Sequence, residues 1–95
     1  MRFEFVGRVI EWRGPAPYYY VRVPASVSAD IHEVSASLSY GWGAIPVEAR
    51  IGAAVFTTSL FPKNGSYLLP LREAVRKPES IGLDDQVAVE MHLRA

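Results

Sequence analysis

The sequence has 95 residues, enough for one small domain, and its 10 basic and 10 acidic residues cancel at neutral pH. It contains no cysteine, which excludes disulfides, thiolate catalysis and cysteine-based zinc sites. Zero net charge argues against a general polyanion binder, although it permits a local basic patch. No stretch offers the ~20-residue apolar run of a membrane helix. We therefore expect a single cytoplasmic domain over residues 1–95.

The first half of the chain predicts a hairpin followed by a short helix. Apolar residues dominate both alternating sets of "FEFVGRVIEW" (Phe3 to Trp12), which indicates a strand that is buried on both sides or curled into a barrel. The stretch "YYYVRV" (Tyr18 to Val23) is rich in aromatic and β-branched residues and predicts a second strand. "PASVSADIHEV" then predicts a short helix with Ser26 or Ser28 as its cap.

The second half predicts another hairpin and a similar order of elements. "AIPVEARI" and "AVFTTSLF" flank Gly52 and Ala53, which is typical of two strands joined by a turn. Asn64 and Gly65 predict a turn with positive φ angles. The remaining predicted elements are a short strand, a helix and a final strand: Ser66 to Leu69, Leu71 to Lys77, and Gln86 to Leu93.

The two halves therefore share one pattern. Pro24 and Pro70 each follow an aromatic-apolar strand and precede a short helix, about half the chain apart. This pattern predicts two related half-barrels around one core, with about six or seven strands closing into a barrel and two short helices. The predicted core consists of Phe5, Val9, Val21, Val23, Ile51, Phe56, Leu60, Leu69, Val75, Val87 and Val89.

Several stretches, taken together and in order, resemble one bacterial family. They are "FVGRVIEWRG", "YYYVRVP", "WGAIPVEARIG", "FTTSLFPKNGSYLLPL" and "AVRKPESIGLDDQVAVEM". The chain is similar to the family known as domain of unknown function 1905. The resemblance implies a mostly β fold, a small closed double-split β-barrel related in architecture to AbrB-type regulators and MazE-type antitoxins. It implies no reaction, substrate or cofactor.

Two arginines in the second half suggest a ligand-binding site. Arg72 and Arg76 lie four positions apart on a predicted helix, and Lys63 is nearby in sequence. Arginine forks suit planar oxyanions, so these cations predict a site for a small anionic ligand. Trp42, which lies between two glycines, or Tyr20 would supply a flat wall for that ligand.

Surface ion pairing is the alternative interpretation of these cations, and we favour it. Glu73 and Lys77 have the spacing of a favourable helical pair. Arg76 would then pair with an acid that follows the helix, namely Glu79, Asp84 or Asp85.

The three consecutive tyrosines also allow two interpretations. They could stack on a planar ligand, or they could belong to the barrel itself. We favour the second, with Tyr18 and Tyr20 filling the barrel and Tyr19 covering its outside.

No pattern in the sequence supports catalysis or metal binding. His32 and His92 lack the spacing of metal ligands, and no serine lies in a Gly-x-Ser-x-Gly elbow, so we expect no metal, cofactor or catalytic residue.

The leading hypothesis is a non-catalytic small-ligand-binding or accessory module, with the oligomeric state open. The alternatives are an AbrB-like nucleic-acid-binding regulator and an enzyme acting on a small anionic substrate. We do not expect a membrane partner, because the sequence has no apolar run of membrane-spanning length. We do not expect nucleic acid either, because the first predicted helix carries Asp30 and Glu33 but no arginine or lysine.

Overall fold

The chain folds into a closed barrel with two short helices. The computed structural model describes residues 2–13, 18–35 and 43–94. Within these segments the strands follow one another around the barrel in the order β1-β2-β5-β4-β3-β6, and every pair is antiparallel. The mostly β fold, the closed barrel of six strands and the two helices confirm the prediction. The elements are β1 (Arg2–Trp12), β2 (Tyr18–Arg22), α1 (Ala25–Val34), β3 (Ile45–Ile51), β4 (Ala54–Lys63), β5 (Ser66–Leu71), α2 (Glu73–Arg76) and β6 (Gln86–Leu93).

The two halves of the chain have equivalent places in the barrel. Each half contains two strands, a helix and a third strand, as the repeated sequence pattern predicts. Exchanging the halves converts the β1–β2 pair into β4–β5 and the β1–β6 pair into β4–β3, while the β2–β5 and β3–β6 pairs map onto themselves. The closure removes exposed strand edges, the feature that makes short sheets prone to aggregation. No helix in the described segments is long and apolar enough to cross a membrane.

Alternating residues of all six strands form the core. Val9 lies opposite Val21, and Val21 lies opposite Leu69, and all three side chains are fully buried. The predicted core is confirmed except for Phe56, which is only partly buried and packs against the core from its edge. The largest fully buried side chains are Ile31, Ile45, Leu60, Leu69 and Met91.

The orientation predicted for the tyrosines of β2 is wrong. Because Val21 lies inside, the two-residue period of a strand turns Tyr19 inward and Tyr18 and Tyr20 outward. Tyr19 packs against the core, and Tyr18 is exposed. The valines of "YYYVRV" lie on the inward face, and their positions determine which of the tyrosines point inward and which point outward.

β1 is curled into the barrel and is not buried on both sides. Its even-numbered residues point outward, and Val6 has 57% of its surface exposed. Gly7 lies on the inward face where β1 approaches β2 closely: an added Cβ would lie 2.5 Å from the carbonyl oxygen of Arg22. A glycine is needed at this position to admit the neighbouring backbone.

α1 begins without the serine cap that the sequence predicts. Pro24 occupies the N-cap position and no side chain caps the helix. Ser28 is instead buried, where its hydroxyl donates to the Val23 carbonyl (3.2 Å) and accepts from the Tyr67 N–H (3.3 Å). This serine therefore connects α1 to the ends of β2 and β5.

The segment between β4 and α2 combines a confirmed turn with a longer strand than predicted. Asn64 and Gly65 have positive φ angles of 52° and 78°, as expected for this dipeptide. β5 continues through Pro70 because its pairing with β4 ends at Leu68, so the missing N–H of the proline faces no neighbouring strand. As a consequence α2 is reduced to Glu73–Arg76.

Candidate anion-binding site

The predicted arginines line one cleft between β2 and α2. Arg72 and Arg76 face Tyr18 and Tyr19 across an opening of about 220 Å³, which Leu71 and Glu73 complete. Because Tyr19 points inward and Tyr18 points outward, the two phenol rings lie on different walls of this cleft. The geometry therefore joins the arginine pair to aromatic surface, as a site for a planar anion requires.

Arg76 is held by stacking rather than by an acid. The central carbon of its guanidinium lies 4.1 Å from the centre of the Tyr19 ring. Its Nε is buried and has no hydrogen-bond partner among the described residues. A buried donor without a partner costs on the order of 1–3 kcal/mol, so the position of Arg76 over Tyr19 is maintained against this cost.

The ion-pair interpretation is right for the helix pair and wrong for Arg76. Glu73 and Lys77 form the predicted pair, and the pKa of Glu73 lies below its ordinary value because Lys77 hydrogen-bonds to it and attracts its charge, with a smaller attraction from Arg76, which forms no ion pair with it. Each acid proposed for Arg76 has another neighbour. Asp84 accepts from Arg8 (2.5 and 3.0 Å), Asp85 accepts from the Gly82 N–H (2.7 Å), and Glu79 packs beside Gly52.

Lys63 lies outside this cleft and covers a different aromatic residue. Its ammonium nitrogen is 3.2 Å from the centre of the Trp12 ring. Lys63 and Trp12 border a groove of about 170 Å³ whose other lining residues include Arg22 and Leu68. The predicted cations thus divide between two openings.

Tyr20 lines an aromatic space next to that groove. Trp12, Tyr20, Phe61 and Leu68 enclose about 290 Å³ on the outside of the barrel. We call this space, together with the part bordered by Lys63 and its neighbours, the Trp12 groove. Partial burial raises the pKa of Tyr20 above its ordinary value of 10.0, and Tyr18 raises it further, so the phenol is neutral at physiological pH.

The two openings adjoin through the tyrosines. The rings of Tyr18, in the arginine cleft, and Tyr20, in the Trp12 groove, are 5.2 Å apart between centroids and tilted by 43°. Trp42, also proposed as a ligand wall, lies outside the described residues.

The sequence analysis missed Trp12 and Phe61. Both point outward and are about half exposed, at 49% and 50%. The alternation of β1 could have placed Trp12 outside once Val9 is assigned to the core. No local sequence pattern could have predicted the contact of Trp12 with Lys63, because β2 and β5 lie between β1 and β4 in the sheet.

Cations without acidic partners gather around these two openings. Elsewhere, most cations form ion pairs: Arg2 and Arg50 contact Glu90, Arg8 contacts Asp84, and Arg13 contacts Glu11, whereas Arg94 has no acidic partner among the described residues. A neutral chain therefore carries a locally positive surface. The cations at the openings for which the described residues provide no acidic partner are Arg22, Lys63, Arg72 and Arg76.

The histidines have separate surroundings. His32 Nδ1 lies 3.5 Å from the Tyr67 hydroxyl, and His92 Nε2 lies 3.5 Å from Glu90. In residues 2–13, 18–35 and 43–94, no three acidic or histidine side chains gather as metal ligands would.

Comparison with known proteins places the chain in a family. No curated protein sequence matches it. Residues 5–91 match the family described as Domain of unknown function (DUF1905), which is nearly the whole chain. The barrel is consistent with the fold that the sequence resemblance implies. The protein is therefore a member of the DUF1905 family.

Proposed function

We propose that this protein is a non-catalytic binding module for a small anionic ligand held in the cleft between β2 and α2. Arg72 and Arg76 would donate hydrogen bonds to a phosphate or carboxylate group, and Tyr18 and Tyr19 would form the walls. The family supplies no reaction or ligand, so the proposal rests on this cleft.

The observation that carries the proposal is the state of Arg76. The guanidinium lies over the Tyr19 ring, with its central carbon 4.1 Å from the ring centre, while the buried Nε has no partner among the described residues. A rigid fork loses little conformational entropy when it binds a planar oxyanion. Such a ligand would accept from the terminal nitrogens of the guanidinium, which, unlike the Nε, are not buried.

The neighbouring charges support the same reading of the cleft. Glu73 is the acidic residue among the residues that line it, and Lys77 already pairs with that carboxylate. Arg72 has no acidic partner in the described part of the chain. An entering anion would therefore meet two cations and one partly neutralised acid.

The test is a titration with inorganic phosphate and with citrate, followed by amide chemical shifts in a buffer free of both. We expect saturable shifts at residues 18–19 and 72–76. Because a hydrogen bond to a charged group contributes about 1.5–3 kcal/mol, Arg76→Gln should weaken binding about tenfold or more. Arg94→Gln is the control for net charge, since it removes an exposed arginine that has no acidic partner among the described residues and does not line the cleft.

Two results would contradict the proposal. Equal weakening by Arg76→Gln and Arg94→Gln would mean that the anions respond only to net charge. A duplex DNA fragment that binds at low salt and is released by Arg72→Ala would favour the nucleic-acid-binding regulator. We expect weak DNA binding at most, because α1, the counterpart of α2, exposes Asp30 and Glu33.

A further inference from the structure

We propose that the Trp12 groove is a second binding site, for a ligand in which an aromatic ring carries a phosphate or carboxylate group. This inference goes beyond the proposed function, because it concerns a different opening and a ligand with two chemically distinct parts. The groove lies on the outer surface of β1, β2, β5 and β4, away from the core.

The floor of the groove is an outward-facing leucine that is nevertheless buried. Leu68 lies opposite Arg22 on one side and Phe61 on the other, so it shares their outward orientation. It is only 4% exposed, yet it does not belong to the cluster that fills the barrel. Outer side chains therefore cover Leu68, and they create an apolar surface separate from the core.

The walls come from strands that are not neighbours. Trp12 projects from β1 and Lys63 from β4, and the two side chains meet although β2 and β5 lie between their strands. The side chains thus reach over the sheet and enclose the space above Leu68. The cation–π contact leaves the ammonium charged, with N–H groups available to an anion.

The groove has an apolar end and a cationic end. Trp12, Tyr20 and Phe61 surround the apolar end of about 290 Å³. Arg22 and Lys63 border the other end of about 170 Å³, where Asn64 and Ser66 add hydrogen-bonding groups. The two ends share Trp12 and Leu68, and none of the described acidic residues lines either one.

This arrangement matches the two parts of the proposed ligand. A ring would stack in the apolar end, where three aromatic side chains converge. Its phosphate or carboxylate would then face two cations that no described acid neutralises. Together the two ends fall within the range of about 300–1,000 Å³ that is typical of small-molecule sites.

The exposure of the aromatic residues supports a binding role. A single exposed apolar residue is common on protein surfaces, but a contiguous group is typical of a binding site. Trp12 and Phe61 each leave about half of their surface exposed, at 49% and 50%, and they border the same space.

The experiment compares a complete probe with its two fragments. Phenyl phosphate contains both the ring and the anion, phenol only the ring, and inorganic phosphate only the anion. Because inorganic phosphate is also expected in the arginine cleft, the affinities for the groove are taken from the amide shifts of residues 10–12 and 61–68. We expect them to give phenyl phosphate a dissociation constant at least about tenfold lower than that of either fragment, because the ring and the anion bind opposite ends of one site. Amide shifts should then cluster at residues 10–12 and 61–68, whereas the arginine cleft would report at residues 18–19 and 72–76. Failure of one site is thus distinguishable from failure of the other.

Variants test each end separately. Trp12→Leu keeps an apolar side chain but removes the ring, and Lys63→Met keeps the aliphatic length but removes the charge. Both should reduce phenyl phosphate binding about tenfold, with Lys63→Met leaving the weak phenol binding unchanged. Arg94→Met is the control for loss of one positive charge and should bind as the original protein does. Thermal unfolding of each variant shows whether its fold persists.

Further probes identify the source of such a ligand. Thymidine monophosphate and a short single-stranded thymidine oligonucleotide carry the same chemistry. Tighter binding of the oligonucleotide would identify nucleic acid as the source, and no gain over the monophosphate would identify a free small molecule. Phenyl phosphate that binds no better than its fragments would overturn the inference. So would self-association of the protein that Trp12→Leu abolishes, since the groove would then bind a second copy of the chain.

Discussion

The two outer surfaces of the barrel differ in how their charged side chains are paired. On one, which we call the charged face, outward residues of β1, β6 and β3 pair with each other. Glu90 lies between Arg2 (3.5 Å) and Arg50 (2.8 Å), and Arg2 also contacts Glu4. On the other, the Trp12 groove and the arginine cleft present aromatic rings and unpaired cations.

This difference shows that zero net charge does not describe how the charges are distributed over the surface. The charges of the whole chain cancel, but the cations of the two openings form no ion pair with a described residue, whereas Arg2 and Arg50 pair with Glu90 and Arg8 pairs with Asp84. Ion pairs on the charged face leave little attraction for a ligand. The opposite surface keeps its cations beside apolar groups, where a ligand anion would meet less competition.

The largest expected effect comes from the core that both surfaces share. Leu69→Ala removes a fully buried side chain from the barrel interior and should cost about 2–5 kcal/mol of unfolding free energy. Leu68→Ala, one position earlier on β5, should cost less, because Leu68 lies under the Trp12 groove and outside the core cluster. Urea midpoints measure both values. A loss for Leu68→Ala equal to that of Leu69→Ala would show that the groove is part of the main core.

The second-largest expected effect is a loss of stability when β1, the strand that contributes to both surfaces, is altered at Gly7. β1 pairs with β6 through Arg8 and with β2 from Val9 onward, and Gly7 lies beside that change of partner. In Gly7→Ala the new Cβ would lie 2.5 Å from the Arg22 carbonyl oxygen, so we expect a loss of about 1–3 kcal/mol.

Gly82→Ala is the matched control for this substitution. Its Cβ would meet only Asp85 Oδ2, at the ordinary contact distance of 3.7 Å. Chemical denaturation compares the two variants. If both were equally stable, β1 and β2 would have room to separate, contrary to their close approach in the barrel.

The sequence predicted the barrel well because local patterns determine it. The strand β6 and the Asn64–Gly65 turn agree with the residues that predict them, since alternation and turn chemistry act over a few neighbours. The orientation of Tyr18 to Tyr20 was predicted wrongly, because apolar character alone does not say which residues of an aromatic strand face inward.

The binding surface was less predictable because long-range geometry creates it. Arg76, in the second half of the chain, lies over Tyr19 in the first half, and Lys63 contacts Trp12 although two strands lie between them. No spacing between neighbours encodes either contact. The family resemblance identified the barrel but contains no ligand from which the site could be inferred.

A smaller effect should follow from breaking the contact between Lys63 and Trp12. Lys63→Met removes the cation from the tryptophan ring but keeps an unbranched side chain over it. Exposed cation–π contacts contribute about 0.5–1 kcal/mol, so we expect a loss in this range without ligand. Arg94→Met, which removes a cation that contacts no described ring, should be neutral. Thermal unfolding of both variants measures the difference, and an unchanged midpoint for Lys63→Met would mean that the contact does not stabilise the groove.

The smallest expected effect is a pH dependence confined to the charged face. Partial desolvation raises the pKa of Glu90, but Arg2 and Arg50, with a contribution from His92, lower it by more, so its pKa lies below the ordinary value of 4.5. A carboxyl whose pKa is lower in the folded state contributes stability above its unfolded pKa, and this contribution disappears as the pH falls through the folded value.

The corresponding test compares Glu90→Gln with Glu33→Gln, which removes a carboxylate from the exposed surface of α1. Unfolding free energies measured by urea between neutral pH and the acidic range should show a shallower decline for Glu90→Gln than for the original protein. Glu33→Gln should leave the decline nearly unchanged, because no cation of the described residues pairs with that carboxylate. The affinity for phenyl phosphate at neutral pH should be the same in both variants, since neither acid lines the Trp12 groove. An affinity that changed with Glu90→Gln would mean that the two surfaces are coupled through β1 and that the charged face influences binding in the Trp12 groove.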